Sequence, residues 1–315
     1  MIFALILGLA VPNLILGLIR WKNEPAIPEI AAGNETQITE QTTIAPEFQI
    51  PVMLGDGTVQ QMDLDAYLTC VVLAEMPAEF EKEALKAQAV VARTYALKRF
   101  ESGGKHEQNA VCTDYSCCQA YCTVEEFLAR GESEQMLNKV TDAVIQTHGQ
   151  VLTFNGALIE ATYFSCSGGR TEDALAVWGS DIPYLQAVNS PGEEAAAHYM
   201  DTVTFSVDEL ESLLGEELSG NWMGDIAYTQ GGGVDTIQIG TRTYKGTQIR
   251  SLLGLRSTAF VITAVGDTVT ITTKGFGHRV GMSQYGADAM ALQGSDYSQI
   301  LAHYYQGTTL ETEYV

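Results

Sequence analysis

Glu75 stands between an apolar run, Val71-Val72-Leu73-Ala74, and Met76-Pro77. A carboxyl group among such neighbours loses hydration, and desolvation favours its neutral, proton-donating form. An acid that stays protonated near neutral pH is what protonation of a leaving-group oxygen demands. A competing account puts Glu75 at the entrance of a long helix, its charge suited to the N-terminal dipole. Two further stretches carry candidate chemistry. Residues 275–286 (GFGHRVGMSQYG) place His278, Ser283, Gln284 and Tyr285 among four glycines, where the backbone can approach a hydroxyl-rich ligand closely. Residues 163–171 (YFSCSGGRT) offer Tyr163, Ser165, Ser167 and Thr171 around Gly168-Gly169, a loop able to cradle an oxyanion or a sugar oxygen. The helix-opening Gly-x-Ser-x-Gly elbow of serine hydrolases is missing from it. Either loop also reads as an ordinary turn.

His106, Cys112 and Cys118 supply one imidazole and two thiolates at five-residue intervals, a donor set suited to zinc. The spacing is not that of a finger or ribbon, and three ligands would leave a position for water or substrate. Cys117 and Cys122 are rival ligands or disulfide partners, whereas Cys70 and Cys166 read as small buried residues. Lys86 and Arg93, seven residues apart, share a helix face and either orient a substrate or are solvated charges.

The elements that must position these groups alternate hairpins with helices. Residues 48–62 predict a hairpin around Gly55-Asp56-Gly57, and Asp63 or Asp65 can cap a helix over 66–73. Pro77 suits the first turn of the next helix, whose early turns hold Glu79, Glu81 and Glu83 and which Gly103-Gly104 stops. Ala84, Ala87, Val91 and Tyr95 form a stripe for close packing. Residues 125–146 read as one or two helices, 149–153 and 157–164 as strands joined at Asn155-Gly156. Residues 165–200 read as irregular. Ser206 caps a helix over 208–214, 247–253 is helical, and 260–264 and 268–272 form a hairpin. Residues 275–305 are glycine turns and two helices. Without βαβ alternation, the expected class is α+β.

The 315 residues are 46% hydrophobic, enough for a substantial core. Lys plus Arg number 17 against 39 Asp plus Glu, and the formal charge of −22 argues against nucleic acid and anionic lipid surfaces as partners. Residues 1–22 begin with nineteen that carry no charge, the length of an uncleaved membrane anchor. Arg20 and Lys22 follow it, so the charge rule alone would leave the bulk of the chain in the cytoplasm. Residues 23–46 have a linker composition, leaving 47–315 as the catalytic unit.

YLTCVVLAEMP with LKAQAVVARTYAL, the CxxxxxCQAY loop, YFSCSGGRT, GFGHRVGMSQYGA and HYYQGT together resemble the stage II sporulation protein D and amidase-enhancer family. The resemblance implies a membrane-anchored lytic transglycosylase with its catalytic domain outside the cytoplasm. Such an enzyme cuts MurNAc–GlcNAc β-1,4 bonds of peptide-stripped peptidoglycan, leaves 1,6-anhydro ends and acts in forespore engulfment. Its implied partners are glycan strands, a peptidoglycan amidase and a membrane scaffold protein. Glu75 matches the family's catalytic glutamate, and His106, Cys112 and Cys118 match the zinc ligands of some members. Tyr163, Ser165, Ser167, His278, Ser283, Gln284 and Tyr285 would hold the sugars. Departures are the extra Cys117 and Cys122, Arg279 where glycine is common, and Gln306 where proline is common. A non-catalytic wall-binding module that stimulates an amidase is the second reading. A zinc hydrolase ranks last, since no His-Glu-x-x-His pattern appears.

Overall fold

A computed structural model describes residues 48–312. The expected anchor (1–22) and linker (23–46) lie outside them. Among the described residues no helix is long and apolar enough to cross a membrane.

β1 (Gln49–Met53) and β2 (Val59–Asp63) form the expected hairpin, paired from Gln49↔Asp63 to Met53↔Val59. Asp63 caps α1 (Leu64–Glu75) by accepting the Ala66 N–H. α1 outruns the expected 66–73 by two residues at each end. It stops where it does because a residue preceding proline is driven out of the helical region, and Met76 is extended at φ −131° and ψ 137°. Pro77 is therefore not in the next helix. Residues 76–81 form a linker that buries Ala78 and Phe80, and α2 (Lys82–Glu101) starts only afterwards, with Glu83 alone of the three glutamates in its first turn.

α2 is buried almost all round. Ala84, Ala87 and Val91 of the expected stripe are inaccessible, and so are Gln88, Arg93 and Thr94 on other faces. A helix enclosed in this way is a core element. A 3-10 turn (Glu107–Asn109) leads to β3 (Val111–Cys112), parallel to β1. α3 (Val124–Ala129) and α4 (Glu134–Gln146) follow, then β4 (Val151–Phe154) and β5 (Ala157–Leu158). Asn155 (φ 53°) and Gly156 (φ 77°) turn that hairpin in the doubly left-handed form whose twist suits the strands. β6 (Tyr163–Phe164) leaves the hairpin instead of extending it, and α5 (Ala174–Trp178) lies in the stretch expected to be irregular.

Residues 200–274 build a second apolar cluster of their own. β7 (Met200–Ser206), α6 (Val207–Leu214), β8 (Met223–Tyr228), β9 (Val234–Ile239) and β10 (Arg242–Lys245) precede α7 (Gly246–Leu252), β11 (Ala259–Val265) and β12 (Thr268–Lys274). They form two antiparallel sheets, ordered β10-β9-β8 and β11-β12-β7, around Leu210, Ile237, Ile249 and Ile271. The chain then returns to the first core through β13 (Met282–Ser283), parallel to β6, α8 (Gln284–Leu292), α9 (Tyr297–Tyr304) and β14 (Thr309–Glu311), which pairs with β4. α4, α8, α9 and β4 all pack on α2. The fold is a mixed helix-and-sheet domain with no doubly wound sheet among the described residues.

Candidate active site

Because Met76-Pro77 ends α1, Glu75 is its last residue. That is the negative pole of the helix dipole, the reverse of the helix-entrance account, so the dipole adds to desolvation in opposing the anion. Burial pushes the Glu75 carboxyl above its ordinary value, against the opposing pull of Ala120, Tyr163 and Gln284 as hydrogen-bond donors. The Ala120 N–H (2.7 Å) and Tyr163 hydroxyl (3.0 Å) both donate to Oε1, which leaves Oε2 as the oxygen to carry a proton. Behind them a chain of donors fixes direction. Tyr67 donates to Gln119 Oε1 (3.4 Å), and Gln119 Nε2 donates to the Tyr163 oxygen (3.1 Å), so the Tyr163 proton points at Glu75. Burial, with the nearby Glu75 charge, raises the Tyr163 phenol well above the usual range and keeps it a donor.

The two glycine-rich loops meet beside Glu75. Cys166 and Phe276 exchange backbone hydrogen bonds of 3.3 and 2.7 Å in an isolated antiparallel bridge. Backbone crosses backbone so closely that a Cβ on Gly168 would lie 2.9 Å from the Gly275 nitrogen. The crossing opens a cavity of about 540 Å³ lined by Glu75, Tyr95, Arg99, Tyr115, Cys118, Tyr163, Ser165, Arg250, Phe276, His278 and Gln284, among others. Among the described residues Glu75 is the only carboxylate in that lining. His278 accepts the Val280 N–H at Nδ1 (3.1 Å), so its proton sits on Nε2. Burial, then the neighbouring Arg250 charge, holds His278 down to about 4, and it is a neutral donor at physiological pH.

Of the expected site residues, Glu75, Tyr163, Ser165, His278 and Gln284 line the cavity, joined by Cys118. Six stand elsewhere. Lys86 pairs with Glu83 (2.6 Å) and lies over the Tyr297 ring, and Arg93 is buried against Asp65 (2.8 Å) and the carbonyls ending α4. The shared helix face did not hold them together, because each found a different carboxylate. Ser167 is buried under Glu193, Thr171 bonds the Val188 backbone, Ser283 caps α8, and Tyr285 packs edge-on against Phe80. Beneath the 165–172 loop, Glu193 accepts from Ser167 N and Oγ, Gly168 N and Ser190 Oγ. Arg279 adopts φ 66°, the region glycine favours, and reaches Ser167 O, Arg170 O, Gly231 O and Glu172 Oε1. That cluster fastens the loop to the second apolar cluster's segment.

No disulfide joins the six cysteines in the structure. One donor atom each of His106, Cys112, Cys117 and Cys118 lies within 4.8 Å of all the others. A tetrahedral zinc with ordinary bond lengths has ligand–ligand edges of about 3.6–3.8 Å. The His106 Nε2 separations from Cys117 (3.4 Å) and Cys118 (3.9 Å) bracket that edge, so the donor set fits zinc with Cys117 as a fourth ligand. Cys122 is not part of it. It is buried, with its amide bonded to Cys70 O.

Sequence reading missed Tyr95, Arg99, Tyr115, Gln119 and Arg250. Tyr95 and Arg99 had a signal, since they stand four apart on α2 and stack at 4.8 Å. Gln119 directly follows Cys118. Arg250, at the end of a short helix far along the chain, had none.

A family model described as stage II sporulation protein matches residues 55–154. The chain is 42% identical over 283 residues to stage II sporulation protein D of Bacillus amyloliquefaciens, covering 88% of this chain and 82% of that one. The Bacillus subtilis (strain 168) protein of the same description is 43% identical over 277 residues, with coverage of 86% and 81%. An amidase enhancer of Bacillus subtilis (strain 168) is 31% identical over 296 residues, 76% of this chain and 39% of that protein.

Proposed function

The chain belongs to the stage II sporulation protein D family, a sporulation family with an amidase enhancer among its relatives, and from that premise we propose that it is a peptidoglycan lytic transglycosylase. The observation that carries the reading is the solitary carboxyl group of the cavity, raised by burial and given no cationic partner. Glycosidases that use water need two carboxyls. A transglycosylase needs one, because the sugar's own C6 hydroxyl is the nucleophile.

Glu75 donates its Oε2 proton to the glycosidic oxygen as the C1–O bond breaks. The C6 oxygen then bonds to C1, closing the 1,6-anhydro ring, and its proton returns to Glu75. Holding the C6 hydroxyl within the same ring system replaces an ordered water and saves roughly 7 kcal/mol or more of barrier when the alignment is good. Tyr163 and the Ala120 N–H stabilise the carboxylate formed between the two proton transfers. Ser165, His278 and Gln284 are placed to hold the sugars.

Zinc would be held by His106, Cys112, Cys117 and Cys118. Four protein donors would make a closed site, whose contribution would be to pin the loop running from Cys118 to the Ala120 N–H that contacts Glu75. A zinc hydrolase needs an open coordination position, so this reading stays last. Native mass spectrometry should find one zinc per chain, lost more readily to chelator from Cys117→Ser. Anchoring through residues 1–22 with the enzyme outside the cytoplasm, and partnership with an amidase and a membrane scaffold of engulfment, complete the proposal.

The deciding measurement is mass spectrometry of products from peptide-stripped glycan strands. Anhydro-ended saccharides from the wild type and none from Glu75→Gln are expected. Equal yields from both would sink the assignment of Glu75. The amidase-enhancer relative keeps a second reading open, a wall-binding module that stimulates an amidase. Glycan binding without any cleavage would favour it.

A further inference from the structure

The cavity is cationic in a strongly anionic protein. The whole chain carries −22, yet the cavity lining holds two guanidinium groups, Arg99 and Arg250, against a single carboxyl, Glu75. The two arginines differ. Arg99 is paired with Glu160 at 2.9 Å and stacked on Tyr95. Arg250 has no carboxylate within ion-pair reach among the described residues. Its one hydrogen bond is a long one, from Nε to Leu255 O at 3.4 Å, and neither Nη group has a protein partner. Neither Nη is among the enclosed unpartnered atoms, and Arg250 lines the cavity.

A half-buried guanidinium without an anion loses hydration and gains nothing from the protein in return. Its planar fork matches a carboxylate through two parallel hydrogen bonds. Glu75 does not fill that role, since it is bonded to the Ala120 N–H and the Tyr163 hydroxyl and forms no ion pair with Arg250, and His278 beside Arg250 is neutral. The missing anion is therefore sought on the ligand. A muramic acid residue carries a lactyl carboxylate, which is free when no peptide is attached and is an uncharged amide when one is.

Resting on the reading of the cavity as a glycan site, we propose that Arg250 is a specificity-determining residue that binds the free lactyl carboxylate and so selects peptide-free strands. A peptide-bearing strand would leave the fork unpaired and would also have to fit the chain of the peptide past it. Charged hydrogen bonds of this kind are worth roughly ten- to hundred-fold in affinity.

The test measures binding by the full chain, made unable to cleave by Glu75→Gln, of a peptide-free tetrasaccharide and of the same saccharide with its lactyl groups converted to methylamides. The free acid should bind ten- to hundred-fold more tightly. Adding Arg250→Gln should bring the two affinities within about threefold, and Arg250→Lys, which keeps the charge without the fork, should give an intermediate ratio. Should Arg250→Gln fold poorly, the Arg250→Lys ratio decides. A parent chain that binds acid and amide equally, or a ratio undiminished in the folded variants, overturns the inference. Cleavage by the wild-type chain is followed in parallel. A carboxylate preference that depends on Arg250 without any cleavage would support Arg250 and sink the catalytic reading instead.

Discussion

Glu75 and the pair Glu172 and Glu193 are carboxylates withdrawn from water within one domain, and their surroundings are opposite. Glu193 accepts four hydrogen bonds from Ser167, Gly168 and Ser190, and Glu172 faces the buried Arg279 guanidinium at 3.2 Å. Glu75 has two close donors on one oxygen, no cation, and the negative end of a helix beneath it. Compensated charge holds a loop in place, whereas uncompensated charge leaves a proton available for chemistry. The contrast separates a structural carboxylate from the one proposed as the acid without reference to any relative.

The sharpest way to break the comparison is Glu75→Gln, which keeps shape and removes the proton. Cleavage should fall by roughly 10²–10⁴, read as anhydro product per unit time. Stability should move the other way. A carboxyl whose folded pKa is raised costs stability as pH climbs above its unfolded value of 4.5, so the variant's melting temperature should gain on wild type across that rise. In Glu172→Ala the stranded Arg279 charge should cost about 3–5 kcal/mol, seen in the denaturant midpoint. Adding Arg279→Gly should recover part of this, since glycine suits φ 66° and the unpaired cation is gone.

Tyr163→Phe sharpens the catalytic side. Losing a donor to the ionised form should raise the Glu75 pKa further, so the alkaline fall of the pH–rate profile should shift upward, with about a tenfold loss of rate at its optimum. His278 gives a test confined to acid pH. Its depressed folded value means stability is lost as pH drops from 6.5 through about 4, and His278→Asn should flatten that part of a melting-temperature profile.

Local signals were read well where the chemistry is local. Gly55-Asp56-Gly57 and Asn155-Gly156 mark hairpins that form, and Ser206 caps α6 through a complete capping box. β7, β8, β9 and β10 went unread. β7 pairs with β12, more than sixty residues on, and its alternating exposure resembles a loop when its partner is not in view. Pro77 was misread because its two local meanings compete, a first helical turn or a stop for the residue before it. Burial of Phe80 favours the stop.

By itself the sequence determined the acid and its apolar setting, the two glycine loops, the thiol–imidazole set and the family. These rest on residue type and short spacing, which local sterics and hydration govern. Only the tertiary structure decided which polar residues face the cavity, that Cys117 joins the candidate metal donors, and that Arg250 lines the cavity beside His278. Ser167, Arg93 and Lys86 looked equally suited to binding, but each was claimed by a partner that only folding brings near. A buried polar group must be satisfied, and the identity of its partner is a long-range fact.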